Sequence, residues 1–354
     1  MVVIRVSPAV GMTASRQENK LEELLVVRNS ELSTWRECRQ KWEWGWNQRL
    51  RRRDGSASAL KFGTLIHSAL ELFYKKGKRR GGHPVKLWNQ VWREFVEAGN
   101  DDWAVLKPTK DHPEGIMASD LGREMMRAYY DQYGKDENYE VICPEQTFQL
   151  DIDDPETGDY LGTFTGTVDA VIRDLRTGRI GFFEHKTGAS LDPFGAPLIM
   201  DEQAGSYWTF GAMYLVHQGV IESTLDLDFV LYNRLRKVLP DKRARNEQGL
   251  VLNANGSVSK NQPTPMFKRE YTFRTDGDRQ SVFDRVVMEM LEIKQAKEGD
   301  FFIYKNPARH CGFCEFRDMC EVHETKSDWE AVRKMTMGTW EPYEDHMDAL
   351  GGAE

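Results

Sequence analysis

"GFFEHKTG", residues 181–188, carries an alternating apolar strand straight into two opposite charges. Strand side chains alternate between faces with a period of two, so Ile180, Phe182, Glu184 and Lys186 share one face. Gly188 then closes the segment. Two readings stay open on these residues alone. One is a solvent-facing ion pair; the other is a carboxylate and an ammonium gathered for metal-assisted phosphodiester chemistry.

Glu-x-Lys by itself carries little information, because the chain holds it four times. Glu292 and Lys294 fall in a predicted helix, where residues two apart do not face each other. Glu18/Lys20 and Glu324/Lys326 lie in polar stretches without strand character. Only Glu184 and Lys186 end a strand. The preceding strand, "GTFTGTVDAVIRD", joins it as a hairpin through the turn "LRTG", which brings Asp169 beside Glu184. Hard cations such as Mg²⁺ or Mn²⁺ take oxygen ligands, usually one or two carboxylates with waters and substrate phosphate. A lysine two residues on can hold the attacking water or stabilise phosphorane charge.

Two helical stretches flank this pair. In "FGTLIHSALELF", Gly63, His67 and Glu71 recur four residues apart and share a face. Gly63 admits close approach of another backbone, and His67 either offers imidazole to a metal or is simply hydrogen-bonded. In "QAGSYWTFGAMY", Gln203 and Tyr207 fall one turn apart. They either contact nucleic acid and brace a site, or belong to surface and core.

The remaining chain sets the frame. Its 354 residues, 40% hydrophobic and 29% charged, suffice for one large domain or two smaller ones. No run approaches the roughly 18 apolar residues of a membrane span, and the first twenty residues lack the pattern of a secretory signal. A cytoplasmic protein with no membrane partner is expected. The net charge of −8 argues against a generally basic coat, yet "RLRRR" (49–53), "KKGKRR" (75–80) and "RLRKVLPDKRAR" (234–245) are basic islands. Each either follows a phosphate backbone or is plain solvated surface. Periodicity divides the chain into a lead-in (1–29), a mainly helical part (30–135), a strand-rich part (136–300) with a loop insertion at 239–266, a cysteine segment (301–325) and a C-terminal tail (326–354), acidic and weakly ordered from about 336. That order of elements reads as α/β.

Five cysteines occur in the chain. "HCGFCEFRDMC" sets Cys311, Cys314 and Cys320 at C-x2-C-x5-C, a spacing that suggests a metal. Cys38, on a helix among Trp35, Trp42, Trp44 and Trp46, is the natural fourth ligand. Joining it to Cys311 closes a loop of about 270 residues, roughly 5 kcal/mol of chain entropy. Zinc and a [4Fe–4S] cluster both accept four thiolates, and spacing does not choose between them. Cys143 reads as a buried small hydrophobe. The tryptophans either stack bases or fill core. No phosphate-binding G-x4-GK-[ST] stretch is present, so ATP-driven unwinding would need a partner.

In order along the chain, "FGTLIHSALE", "GTVDAVIRD", "GFFEHKTG", "QAGSY" and "HCGFCEFRDMC" resemble the RecB-like nucleases of the PD-(D/E)XK superfamily. They are similar to those of CRISPR-associated and phage exonucleases with a four-cysteine iron–sulfur cluster. The resemblance runs from Cys38 to Cys320. It implies a restriction-endonuclease-like core, a mixed central sheet flanked by helices, with a cluster stapling the N- and C-terminal regions. The long stretch from His67 to Asp169 departs from the family and is expected to hold an added helical subdomain. It further implies that His67, Asp169, Glu184 and the backbone carbonyl of His185 hold Mg²⁺ or Mn²⁺, with Lys186 as the catalytic lysine. Gln203 and Tyr207 match the family's Q-x3-Y contact to DNA, and Cys38, Cys311, Cys314 and Cys320 match the cluster ligands, with zinc the less favoured metal. The implied activity is a DNA exonuclease acting on ends or single strands, in recombination, replication or repair, with a helicase or recombinase as a possible partner. The rival readings are a structure-specific endonuclease on the same fold and a catalytically weak DNA-binding adaptor.

Overall fold

Two short turns build the centre of the sheet. A computed structural model describes residues 4–5, 25–53, 58–108, 112–191 and 197–343. Its strands are β1 (Ile4–Arg5), β2 (Val26–Arg28), β3 (Leu50–Arg52), β4 (Ala104–Leu106), β5 (Ile116–Met117), β6 (Tyr139–Asp153), β7 (Tyr160–Asp174), β8 (Ile180–Gly188), β9 (Leu227–Arg236), β10 (Phe267–Thr272) and β11 (Met337–Thr339). Between β6 and β7 the Asp154 carboxylate accepts from the Glu156 amide, and Gly158 takes φ of 76°. Gly178, also at 76°, serves the β7–β8 turn. A positive φ costs glycine little and other residues much, so the chain reverses twice and lays down the antiparallel meander β6-β7-β8.

The next pairing changes direction. β8 and β9 are parallel, which requires a crossover too long for a tight turn. Helical residues 202–217 provide it. β10 returns antiparallel to β9, giving the order β1-β6-β7-β8-β9-β10, while β2 joins β7 in parallel to complete a seven-stranded sheet.

Helices cover both faces: α1 (Asn29–Glu37), α2 (Arg39–Trp42), α3 (Ser58–Phe73), α4 (Pro84–Glu97), α5 (Ala118–Tyr133), α6 (Glu202–Ser206), α7 (Ala212–His217), α8 (Asp276–Glu298), α9 (Arg317–Glu324) and α10 (Trp329–Thr336). The period of two sends Phe182 to one face and Phe183 to the other. Phe182 joins a core with Trp35, Trp42, Phe210 and Val286. Phe183 joins a second core with Ile66, Leu70, Trp88 and Met126, from α3, α4 and α5. The result is the α/β architecture expected, a mixed sheet between helical layers.

Several expectations change. The first helix does not run unbroken past Cys38, whose backbone is extended (φ −164°, ψ 119°) between α1 and α2. Trp35, Trp42 and Trp44 are buried core and present no face to a base. The stretch expected as a weakly ordered tail is folded through Tyr343. α10 leads into β11, which pairs with β3, and Met337 packs with Trp44, Leu50, Phe316 and Met319 in a third small core. The rest of the tail lies outside the described residues. This docking also accounts for the "RLRRR" island. Arg51 stacks 3.9 Å over Trp340, Arg53 donates to the Met337 carbonyl at 2.7 Å, and Arg49 pairs with Glu341 at 2.7 Å. Those charges hold the C-terminal segment. The 239–266 insertion has no regular helix or strand, but bridges at Arg245–Val251 and Leu252–Val258 bury Val251 within it. Among the described residues, no helix is long and apolar enough to cross a membrane.

Candidate active site

The β7–β8 ladder runs to the pair Ala170–Phe183, so Asp169 and Glu184 follow directly beyond its last rung. Both carboxylates stand where the two strands part. The Asp169 carboxylate bridges two elements. One oxygen lies 3.1 Å from Nδ1 of His67 on α3, and the other accepts the His185 backbone N–H at 2.6 Å. Gly63, one turn before His67, lies against the end of β8; a Cβ there would stand 2.9 Å from Thr187 Oγ1. The neighbour that approaches Gly63 is thus the Thr187 side chain of β8, not the backbone that the sequence predicts.

On β8, Lys186 Nζ lies 2.9 Å from Glu184 Oε1. The same ammonium donates to Gln203 Oε1, and Gln203 Nε2 donates to the Tyr207 hydroxyl at 2.6 Å. Gln203 is presented by α6, whose N-terminus the Asp201 side chain caps by accepting from the Ala204 amide. Arg36 on α1 clamps the outside of that helix, pairing with Glu202 and, at 2.5 Å, with Glu289 on α8. His67 and Asp169 thus form one bonded pair and Glu184, Lys186, Gln203 and Tyr207 a second bonded chain, the two meeting through the β8 backbone at His185 and the charge of Asp169 on Glu184. Tyr207 is buried, and its hydroxyl braces Gln203 rather than facing outward.

Burial and mutual charge set the protonation of this set. Burial pushes the Glu184 carboxyl up to about 7, and the Asp169 charge adds to that, while Lys186 pulls the other way. Burial also opposes ionisation of Asp169, but the charge and hydrogen bond of His67 overcome it and hold the group at about 2. Lys186 is likewise desolvated, yet Glu184 and Asp201 raise its pKa, so it stays an ammonium. His67 is raised too, by Asp169 against the cost of burial. Burial drives His185 down to about 3, a neutral imidazole.

Sequence reasoning missed a second acid here. Glu145 on β6 hydrogen-bonds Glu71, the residue one turn beyond His67, and burial raises both carboxyls with Asp169 adding to the effect. Glu71 was legible from its helical spacing. Glu145 had no local signal, because only the β6–β7 pairing carries it there.

A family model for the PD-(D/E)XK nuclease superfamily matches residues 29–321. The chain belongs to that superfamily. No curated protein matches it. Among solved structures, a "Putative exonuclease" from Eubacterium rectale is similar to it at 12% identity with a TM-score of 0.42, covering 86% of this chain and 92% of that one. A likeness at that level carries no argument about function.

The cysteines of this PD-(D/E)XK chain are brought near one another but not into a finished ligand set. All are free thiols. Burial raises the Cys314 and Cys320 thiols; Cys314 feels the charges of Cys38 and Cys320, and Cys320 those of Cys38 and Cys311. Backbone N–H groups of Asn306 and Ala308 point at the sulfurs of Cys38 and Cys311, each at 3.5 Å. Among the described residues, no three His, Cys, Asp or Glu side chains stand as a formed metal-ligand group. The N- and C-terminal regions are joined by the β3–β11 pair and the small core beneath it, against which Cys314 and Cys320 also pack. Cys143 is half-buried against the sheet core.

Proposed function

We propose that this chain is a metal-dependent DNA exonuclease that hydrolyses phosphodiester bonds at DNA ends or in single strands. One observation carries the reading. In a chain of the PD-(D/E)XK superfamily, the Lys186–Glu184 pair on one strand stands beside the Asp169–His67 pair from the neighbouring strand and helix.

The chemistry of the donor set suits a divalent ion, and its side chains, like the thiols, do not stand as a formed three-ligand group. His67, Asp169, Glu184 and the His185 carbonyl offer hard oxygens and one imidazole, which suits Mg²⁺ or Mn²⁺. Lys186 and His67 face the carboxylates, and the upward push on Glu184 from burial and the Asp169 charge is a cost that a cation would relieve. When bound, such an ion supplies Lewis-acid stabilisation of phosphate charge and a more acidic water. The chain's own groups do the rest. Lys186, held ionised by Glu184 and oriented by Gln203, directs an ammonium N–H at the attacked phosphate or its water. Tyr207 fixes Gln203, and Asp169 fixes the β8 backbone through the His185 amide.

The four neighbouring thiols, with backbone N–H groups aimed at two of the sulfurs, support a further part of the proposal. Cys38, Cys311, Cys314 and Cys320 would hold a [4Fe–4S] cluster, with zinc as the less favoured metal. The activity test is digestion of end-labelled linear DNA against covalently closed circles with Mn²⁺, comparing wild type with Glu184→Ala. Cleavage of linear DNA alone, lost in the variant, supports an exonuclease. Cutting of the circle indicates an endonuclease, and no cutting at all leaves a DNA-binding adaptor.

A further inference from the structure

Behind the candidate site, on the opposite face of β8, lies a buried polar chain that the proposed chemistry does not use. It begins at Arg269 on β10. This guanidinium donates to both oxygens of Asp136, at 2.9 and 2.8 Å, and to the hydroxyls of Tyr74 and Tyr129, each at 2.9 Å. Tyr74 donates to Asp136 at 2.6 Å. The Arg269 Nε–H reaches Asn233 Oδ1 on β9 at 3.3 Å. From the same amide, Nδ2 contacts the Tyr129 hydroxyl at 2.9 Å and His185 Nδ1 at 3.0 Å. Tyr74, Tyr129, Asp136, His185 and Asn233 are all buried.

The direction of these bonds is forced. A guanidinium has donors only, so the Asn233 oxygen must face Arg269 and its nitrogen must face His185. An amide nitrogen has no acceptor, so His185 Nδ1 accepts and the ring carries its proton on Nε2. Arg269 thereby fixes the Asn233 amide, and the amide fixes both the tautomer and the plane of the His185 ring. That ring also meets Tyr74, Phe183 and His67 edge-on or tilted, at 5.7, 4.6 and 5.8 Å between centroids. Its own backbone N–H is the one bound to Asp169, and its two chain neighbours are Glu184 and Lys186.

We propose that Arg269 and Asn233 are positioning residues. By anchoring the His185 side chain from behind, they hold the β8 backbone in the register that sets Glu184 and Lys186 on the front face against Asp169. A buried hydrogen-bond network of this kind rigidifies what it touches, and reacting groups displaced by about 1 Å can lose about 100-fold in rate.

The test uses the full chain. Asn233→Leu keeps the shape and removes the link. It is preferred to loss of Arg269, which would leave the Asp136 charge buried alone. Met126→Ala, a cavity in the same apolar layer with no part in the network, is the comparison for lost stability. Hydrogen–deuterium exchange of the His185 amide reports anchoring without relying on activity. Exchange there is expected to rise at least tenfold more in Asn233→Leu than in Met126→Ala at matched global stability. In DNA digestion kcat is expected to fall by about 10- to 100-fold with KM within about twofold. Exchange that merely follows global stability in both variants overturns the proposal, as does an unchanged kcat in folded Asn233→Leu. The kinetic arm rests on the nuclease reading. If wild type cuts no DNA, that reading fails while the exchange comparison still decides the anchoring.

Discussion

The Lys186 ammonium lies 2.9 Å from the Glu184 carboxylate, two residues back on the same face of β8, and also donates to Gln203 on the crossover helix. Each neighbour restrains Lys186 differently. Glu184 keeps it charged, and Gln203 aims it.

Replacing Lys186 by Met removes the charge while keeping the apolar stem. By analogy with loss of a single preorganised donor to transition-state charge, kcat should drop about 10²- to 10³-fold. KM and the far-ultraviolet circular dichroism should stay near wild type. Steady-state digestion of a labelled oligonucleotide measures the split.

Gln203→Leu leaves the ammonium charged but unaimed. Its effect should be smaller, about tenfold on kcat, and Tyr207→Phe should shift kcat in the same direction by less. Single-turnover cleavage separates these from changes in product release. A Gln203→Leu loss as large as that of Lys186→Met would place Gln203 in direct contact with the reacting phosphate.

The metal-free protein should lose stability as pH rises toward neutrality. Glu184 is raised from 4.5 to about 7 in the folded state. Its contribution is therefore fully present below about pH 4.5 and lost as pH rises through about 7. His67, also raised, acts in the same direction, its contribution falling away above its ordinary 6.5. Asp169, lowered from 3.8 to about 2, acts oppositely and loses its contribution only as pH falls below about 3.8 toward 2. Mn²⁺ competes with the proton at Glu184, so it should flatten the slope between pH 4.5 and 7. Thermal melts across that range, with and without Mn²⁺, give the answer.

Arg36→Ala should destabilise the fold by about 2 kcal/mol, since it strips charged hydrogen bonds from the half-buried Glu202 and the buried Glu289. Urea denaturation measures that cost. Because Glu202 sits beside Gln203 on α6, kcat should fall in the same variant, and a kcat unmoved at full folding would show that α6 needs no outer clamp.

Protein isolated without oxygen should be brown, with about four irons per chain and broad absorbance near 400 nm, if the four thiols bind a [4Fe–4S] cluster. Cys320→Ser should remove most of the iron, whereas Cys143→Ser should leave it. A colourless wild type containing zinc would assign the thiols to that metal instead.

Much of the site was legible from the chain because its signals are local. The alternation through Phe182 to Lys186, the four-residue spacing of Gly63, His67 and Glu71, and the Gln203–Tyr207 turn each need only strand or helix periodicity. The cysteine trio and the glycine turns around β7 are equally local. Misreadings arose where long-range packing decided. The "RLRRR" island reads as either a phosphate-tracking or a plain solvated surface, and nothing near Arg51 reveals that Trp340 will lie beside it. Residues 329–343 resembled a tail, because β11 has meaning only once β3 is beside it.

Sequence alone settled which residues could share a face, since that follows from backbone geometry. Only the tertiary structure decided that Asp169 would take both His67 and the His185 amide, that Glu145 would join Glu71, and that Arg269 would reach His185 through Asn233. Those contacts link residues up to 102 positions apart. Hydrogen bonds and charge coupling fall off over a few ångströms, so their partners are set by which strands pair and which helices pack, not by order along the chain.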